Sequence, residues 1–448
     1  MTGKYMGKIC GLLALVLMFG SLCGCQYGDI YIQESSYEST KLIEGWLAYK
    51  AQVEDTTKFA KGVEKTPEAA AKDHNEQKDL ETEAVATETE TAEKKPYVQQ
   101  TSKVDMEKAV VQPLVEHGFY YQYLSDSLKV VYDEMLRSML LMEGVKISTL
   151  SSEQADFAFQ CVLYDHPEIF YVSGYQLTKK TMDGSVIELS FSGEYILSKE
   201  EIIERQKQID AYTTDFCKKL WDGMDEYEKV KAVYDHLITN TTYNLNALDN
   251  QNICSVFLTG QSVCQGYAEA TQYLLQTLGI EASIVSGIVS DGERHAWNIV
   301  KVNGSYYYVD TTWGDADYRI VDENGEIAQS HTSQINYDYF MVTTAQLELT
   351  HQIQSEINLP ICVETKDNYY IREDLFFDEV NEEQIAAAFE RAYASGQGTV
   401  TLRASDSIVF AALKEYMITD QKVFQYIESS GTISYSEDVK TGTLCFWL

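Results

Sequence analysis

The dipeptide Asn303-Gly304 constrains the geometry of this chain more than any other pair of residues. It joins two strand-like runs, His295-Ala296-Trp297-Asn298-Ile299-Val300-Lys301-Val302 and Ser305-Tyr306-Tyr307-Tyr308-Val309-Asp310-Thr311-Thr312. Asn-Gly between two such runs is the strongest short hairpin signal. A two-residue turn pairs Val302 with Ser305, so His295 falls opposite Thr312 and Trp297 opposite Asp310. Opposed side chains share a face, which predicts His295, Trp297, Asp310 and Thr312 on one side of the sheet. His295 and Asp310 are then diagonal neighbours, within hydrogen-bond reach once the strands twist. An aspartate that accepts from one imidazole nitrogen leaves the other aimed at a nucleophile.

The nucleophile that fits is Cys264. Tyr267, Ala268, Thr271, Leu274, Leu275 and Leu278 recur at helical spacing, and Gly279 is placed to end the helix. Ser262 with Gln265 reads as a capping box, which puts Cys264 in the first turn. Free N–H groups and the positive end of the helix dipole there favour a thiolate. Cys264 would attack an acyl carbon, His295 would move the proton and Asp310 would fix the tautomer. The Cys264 N–H is the natural oxyanion donor. Gln261, Tyr243 and Asn240, all upstream, are candidates for a second donor. Trp297 and Trp313 flank the triad strands and are candidates to line a substrate slot.

Three segments carry a family resemblance: Val263-Cys264-Gln265-Gly266-Tyr267-Ala268, His295-Ala296-Trp297-Asn298, and Tyr308-Val309-Asp310-Thr311-Thr312-Trp313. Together they resemble the three motifs of the transglutaminase-like superfamily core, in the order Cys, His, Asp. The resemblance covers roughly residues 205 to 345. It implies an α+β, papain-like arrangement, with a cysteine-bearing helix packed on an antiparallel sheet. Its members include cross-linking transglutaminases, cysteine proteases, amidases and inactive forms. The Ser-Val-Cys-Gln sequence departs from the Gly-Gln-Cys-Trp signature of animal transglutaminases and is more similar to the bacterial exported branch.

Two smaller α/β domains are expected around that core. Residues 106–200 combine helical patterns at Leu124 to Leu141 and Gln154 to Leu163 with strand-like runs Glu168 to Val172 and Val186 to Phe191. A charged helical stretch, Lys199 to Ile238, leads into the core at 201–345. Residues 346–448 read as strand Asn368 to Ile371, helix Glu382 to Tyr393, strand Thr399 to Arg403, helix Ile408 to Ile427, and strands Thr432 to Tyr435 and Gly442 to Phe446.

Residues 1–25 carry Lys4 and Lys8, an apolar run from Gly11 to Leu22, and Leu22-Cys23-Gly24-Cys25. That pattern is an export signal, and its ending resembles a bacterial lipobox that would place lipid on Cys25. The expected location is the extracytoplasmic face of the cell membrane. Residues 26–105 are rich in Glu, Thr, Ala and Lys and read mostly as an acidic disordered tether, with an amphipathic stretch around Trp46 to Phe59. The remaining cysteines, Cys161, Cys217, Cys254, Cys264, Cys362 and Cys445, are scattered without a CxxC, so neither a disulfide framework nor a zinc ribbon is indicated.

The chain has 448 residues and a formal net charge of −34, and it has no basic run, which argues against nucleic-acid binding. Residues 251 to 350 hold 3 basic and 12 acidic side chains, a field that favours neutral or cationic substrates. His331 and His351 lack zinc spacing and read as surface or structural; His166 and His236 have no visible partner. Asp291, Glu293, Asp315 and Asp317 lack calcium-loop spacing and read as a solvated loop. No metal or cofactor is implied. The expected function is an exported, lipid-anchored cysteine enzyme that cleaves or transfers peptide or isopeptide amide bonds through an acyl-thioester. Its partner would be a protein or peptide, with cell-wall peptide among the candidates. Amine transfer onto protein glutamine and a catalytically silent envelope scaffold are the alternatives.

Overall fold

Short polar side chains start most of the helices. Ser125 accepts from the Leu128 N–H at the head of α1 (Asp126–Leu141), and Ser151 accepts from Gln154 at α2 (Ser152–Asp165). Ser198 and Asp225 form capping boxes with Glu201 and Glu228 at α3 (Lys199–Cys217) and α4 (Glu226–Asn240). Each cap satisfies backbone donors that have no partner inside the helix. The stretch 199–238 is therefore two helices rather than one, broken where Gly223 takes a φ of 101° ahead of the Asp225 cap.

A computed structural model describes residues 113–290, 292–321, 327–428 and 432–448, together with the backbone of strands β1 (Ile30–Ser35) and β2 (Lys58–Glu64). Residues 1–25, read as an export signal ending at Cys25, and most of 26–105, including Trp46 to Thr57, lie outside the described residues. β1 and β2 fall within the stretch read as tether, and both pair with sheets of the folded part. Among the described residues no helix is long and apolar enough to cross a membrane.

The N-terminal unit packs α1 and α2 with an antiparallel sheet ordered β1, β4 (Val172–Met182), β5 (Ser185–Tyr195), β3 (Val145–Ile147). The strand expected at Glu168 to Val172 is instead a short helical turn, Pro167–Ile169, and β4 begins only at Val172. Pro167 cannot donate to a ladder. Glu168 turns inward, where its Oε1 meets His166 Nδ1 at 2.7 Å and accepts from the Leu114 N–H.

The central sheet runs β13 (Phe340–Val342), β10 (Ser305–Val309), β9 (Arg294–Val302), β8 (Ala282–Val289), β14 (His351–Gln354), with every neighbouring pair antiparallel. Asn303 and Gly304 take φ of 51° and 82°, and the register runs from Val302–Ser305 to Asn298–Val309, as the turn predicts. β10 then stops three residues early. The Asp310 N–H goes to the Tyr339 carbonyl and Thr311–Gly314 winds into a helical turn, so Thr312 does not pair with His295, which keeps its partner Gly287 of β8 on the other edge of β9. Asp310 drives the break by capping that turn, Oδ1 accepting from the Thr312 and Trp313 N–H groups at 3.0 Å each. β14 lies past residue 345, where the core was expected to end, yet it completes this sheet.

Helix α5 (Cys264–Thr277) covers one face of the sheet. Tyr267, Thr271, Leu274 and Leu275 are buried, and Asn298 of β9 donates from Nδ2 to the Ala268 carbonyl at 2.9 Å. Beyond the core, α6 (Glu382–Ser395) and α7 (Ser407–Lys414) accompany a sheet ordered β12 (Ile327–Ile335), β11 (Asp315–Val321), β2, β17 (Thr432–Asp438), β18 (Thr443–Trp447), β16 (Thr399–Ala404), β15 (Phe376–Phe377). Asn368 to Ile371 is not a strand. The Asn368 side chain accepts from the Tyr370 N–H and starts a helical turn, Tyr369–Arg372. The helix expected from Ile408 to Ile427 ends at Lys414 and continues as a wider turn to Thr419 and a tighter one over Lys422–Gln425.

Candidate active site

Cys264 is the first residue of α5, buried at 6% exposure. The helix cap is Val263, with no side chain bonded to it, so the expected Ser262–Gln265 box does not form. Ser262 belongs instead to β7 (Gln261–Ser262), which pairs in parallel with β6 (Thr242–Tyr243). That pairing turns the Ser262 hydroxyl inward, to Ser255 Oγ at 2.6 Å and the Asn250 carbonyl at 3.2 Å. The first turn of α5 rests on this hydroxyl: at Gly266 a Cβ would lie 2.1 Å from Ser262 Oγ and 2.9 Å from Ser255 Oγ. Uncapped by a side chain, the head of α5 keeps N–H groups without intrahelical partners and the positive dipole end beside Cys264.

The three triad candidates are brought together. His295 Nε2 lies 2.7 Å from Asp310 Oδ2, and Cys264 and His295 line the same groove, the thiol favouring the charged form of the ring. A further residue shares the carboxylate. His351, 3% exposed, has its Nε2 3.1 Å from the same Oδ2 and its Nδ1 2.8 Å from Thr350 Oγ1. Burial alone would push the Asp310 carboxyl up, but the facing His295 and His351 rings hold it well below the usual carboxylate range. Burial likewise opposes charge on His295, and the facing Asp310, with Cys264, overcomes it and raises the imidazole to about 10. The arrangement therefore favours an imidazolium beside the sulfur.

Trp297 and Trp313 wall the histidines rather than the groove. The Trp297 ring, 1% exposed, stands edge-on to His351 at 4.9 Å between centroids, and Trp313 lies 4.6 Å from His351 and 4.9 Å from Tyr339. Gly287 makes room for this cage, since a Cβ there would sit 2.6 Å from Trp297 Cη2.

Cys264 and His295 open onto a groove of about 710 Å³ between the N-terminal unit and the core. None of Gln261, Tyr243 and Asn240 is among its lining residues. Strand alternation turns Gln261 outward as Ser262 turns in, and the Gln261 Oε1 accepts from Asn244 Nδ2. Tyr243 is 37% exposed with its ring toward Tyr267, and Asn240 donates back to the His236 carbonyl. The Cys264 N–H keeps its place at the helix start.

Four other thiols do not resemble a nucleophile. Burial pushes those of Cys161, Cys217, Cys254 and Cys362 up, to about 11 at Cys254 and about 12 at Cys362. His295, Asp310 and His351 have ligand-type atoms within 4.8 Å of one another, close enough to hold a metal ion. Both imidazole Nε2 atoms nevertheless stand at hydrogen-bond distance from one carboxylate oxygen, which occupies them with each other. Asp315 accepts from the Tyr267 hydroxyl at 2.6 Å, and Asp291 lies outside the described residues.

Residues 215–311 match the transglutaminase-like superfamily, a span that takes in Cys264, His295 and Asp310. The chain carries a transglutaminase-like core. No curated protein sequence matches it. Among solved structures it is similar to a transglutaminase (18% identity, TM-score 0.23), with 32% of this chain covering 44% of that one. It is also similar to a candidate cysteine protease from Cytophaga hutchinsonii (14% identity, TM-score 0.22, 44% of this chain and 77% of that one). A third likeness is to the periplasmic domain of TgpA from Pseudomonas aeruginosa (13% identity, TM-score 0.18, 31% of this chain and 69% of that one).

Sequence motifs of the transglutaminase-like core did not mark His351. It lies 41 residues past Asp310, on a strand that joins the sheet only by pairing with β8. The available signal was the short strand-like run His351-Gln352-Ile353-Gln354, whose partner strand could not be read from spacing.

Proposed function

We propose that this protein is a cysteine enzyme that hydrolyses peptide or isopeptide bonds, held at the outer face of the membrane by lipid on Cys25. The observation that carries the reading is the His295–Asp310 pair, Nε2 to Oδ2 at 2.7 Å, with Cys264 lining the same groove as His295. The Cys264 sulfur attacks the carbonyl carbon, a C–S bond forms, and the carbonyl oxygen takes the negative charge beside the Cys264 N–H. The His295 imidazolium gives its proton to the leaving amine as the C–N bond breaks, which leaves an acyl-thioester. Neutral His295 then takes a proton from water, the hydroxide attacks the thioester, and the acid departs as the sulfur is regenerated. An amine in place of water would give transamidation by the same steps. Water needs no second binding site, which favours hydrolysis.

The test is a peptide library incubated with the full chain, with and without an added primary amine, and read by mass spectrometry. Cleavage products that require Cys264 support hydrolysis; amine adducts assign transfer instead. An unmodified library would favour the silent scaffold.

A further inference from the structure

The groove that reaches Cys264 has few charges. Its lining takes Asn246, Asn250 and Gln251 from the loop before Cys264, and a mostly apolar wall that includes Tyr164, Ile169 and Phe170 from the N-terminal unit. Among the described lining residues the one carboxyl is Glu269 and the one permanent cation is Arg294. Glu269 stands one turn along α5 from Gln265, whose Nε2 donates to Glu269 Oε1 at 2.9 Å. Burial pushes the carboxyl up to about 8, and the Gln265 amide offsets part of that. Among the described residues no Lys or Arg is bonded to it. A half-buried carboxyl on a groove wall with one neutral partner keeps acceptor capacity that a cationic group can use.

We propose that Glu269 recognises a primary ammonium, the head of a lysine-type side chain on the substrate whose carbonyl Cys264 attacks. The proposal rests on Cys264 as nucleophile and adds a substrate class to it. The methylene stem of such a side chain can lie along the apolar wall while its head meets Glu269. The surplus of acidic side chains in residues 251 to 350, 12 against 3, acts in the same direction at longer range.

Three methanethiosulfonates test this: a permanently cationic trimethylammonioethyl, an anionic sulfonatoethyl and a neutral methyl reagent. Each forms a mixed disulfide with a thiolate and releases methanesulfinate. Modification of Cys264 in the full chain is followed at pH 9 by peptide mass spectrometry, with Cys264→Ala as the blank. Glu269→Gln is expected to lower the cation-to-anion rate ratio by about tenfold, the scale of a unit charge lost across a groove. A ratio within about twofold of the parent's, or equal falls with all three reagents, overturns the subsite. Failure of the neutral reagent to modify Cys264 in the parent overturns the nucleophile itself, and the subsite with it.

Discussion

His351 Nε2 stands 3.1 Å from the Asp310 oxygen that His295 meets at 2.7 Å, so one buried carboxylate oxygen serves two imidazoles. The second oxygen is held by the N–H groups of Thr312 and Trp313. Asp310 is thereby fixed from four directions, and the His295 ring is fixed with it.

Removing the His351 donor should loosen that geometry. His351→Leu is expected to slow Cys264-dependent turnover or alkylation by roughly tenfold to a hundredfold, the worth of a hydrogen bond to a charged group. His351→Gln, which keeps a side-chain N–H, should recover most of it. Equal losses in the two variants would reduce His351 to packing.

The His295–Asp310 pair sets a pH window for stability. His295 is raised from 6.5 to about 10, so its contribution is complete below about 6.5 and disappears as pH rises through about 10. Asp310 is lowered from 3.8, so its contribution is present above about 3.8 and is lost as pH falls through the lowered value. Thermal melts of the parent and His295→Gln should differ most between about pH 4 and 6.5 and converge above about pH 10. A constant difference across that range would contradict the pairing.

Gly266 makes a separate prediction about how Cys264 is placed. A methyl there would meet the buried Ser262 hydroxyl at 2.1 Å, so Gly266→Ala should cost about 1–3 kcal/mol and slow Cys264 alkylation. Adding Ser262→Ala removes the nearest obstacle and should restore part of both, measured by urea unfolding and by labelling rate. A double variant no better than the single would place the strain elsewhere.

Local signals made much of this arrangement legible. Asn303-Gly304 encoded the hairpin register, and the apolar spacing from Tyr267 to Leu278 encoded the helix under Cys264. The departures arose where a polar side chain chose a partner distant in sequence. Ser262 bonds Ser255 and Asn250 in place of the helix end, Asp310 ends its strand by capping the next turn, and His351 arrives on a strand whose pairing depends on the assembled sheet. Spacing reports neighbours along one element, whereas these contacts are settled by the fold.

The central claim is that His295 activates Cys264, and the most direct measurement compares iodoacetamide labelling of Cys264 in the parent and in His295→Ala, with Cys264→Ala as the blank. Cys264 should react at least about tenfold faster in the parent, the usual scale of a positioned acid–base partner. Equal rates in the two proteins, or labelling that persists in Cys264→Ala, would contradict it.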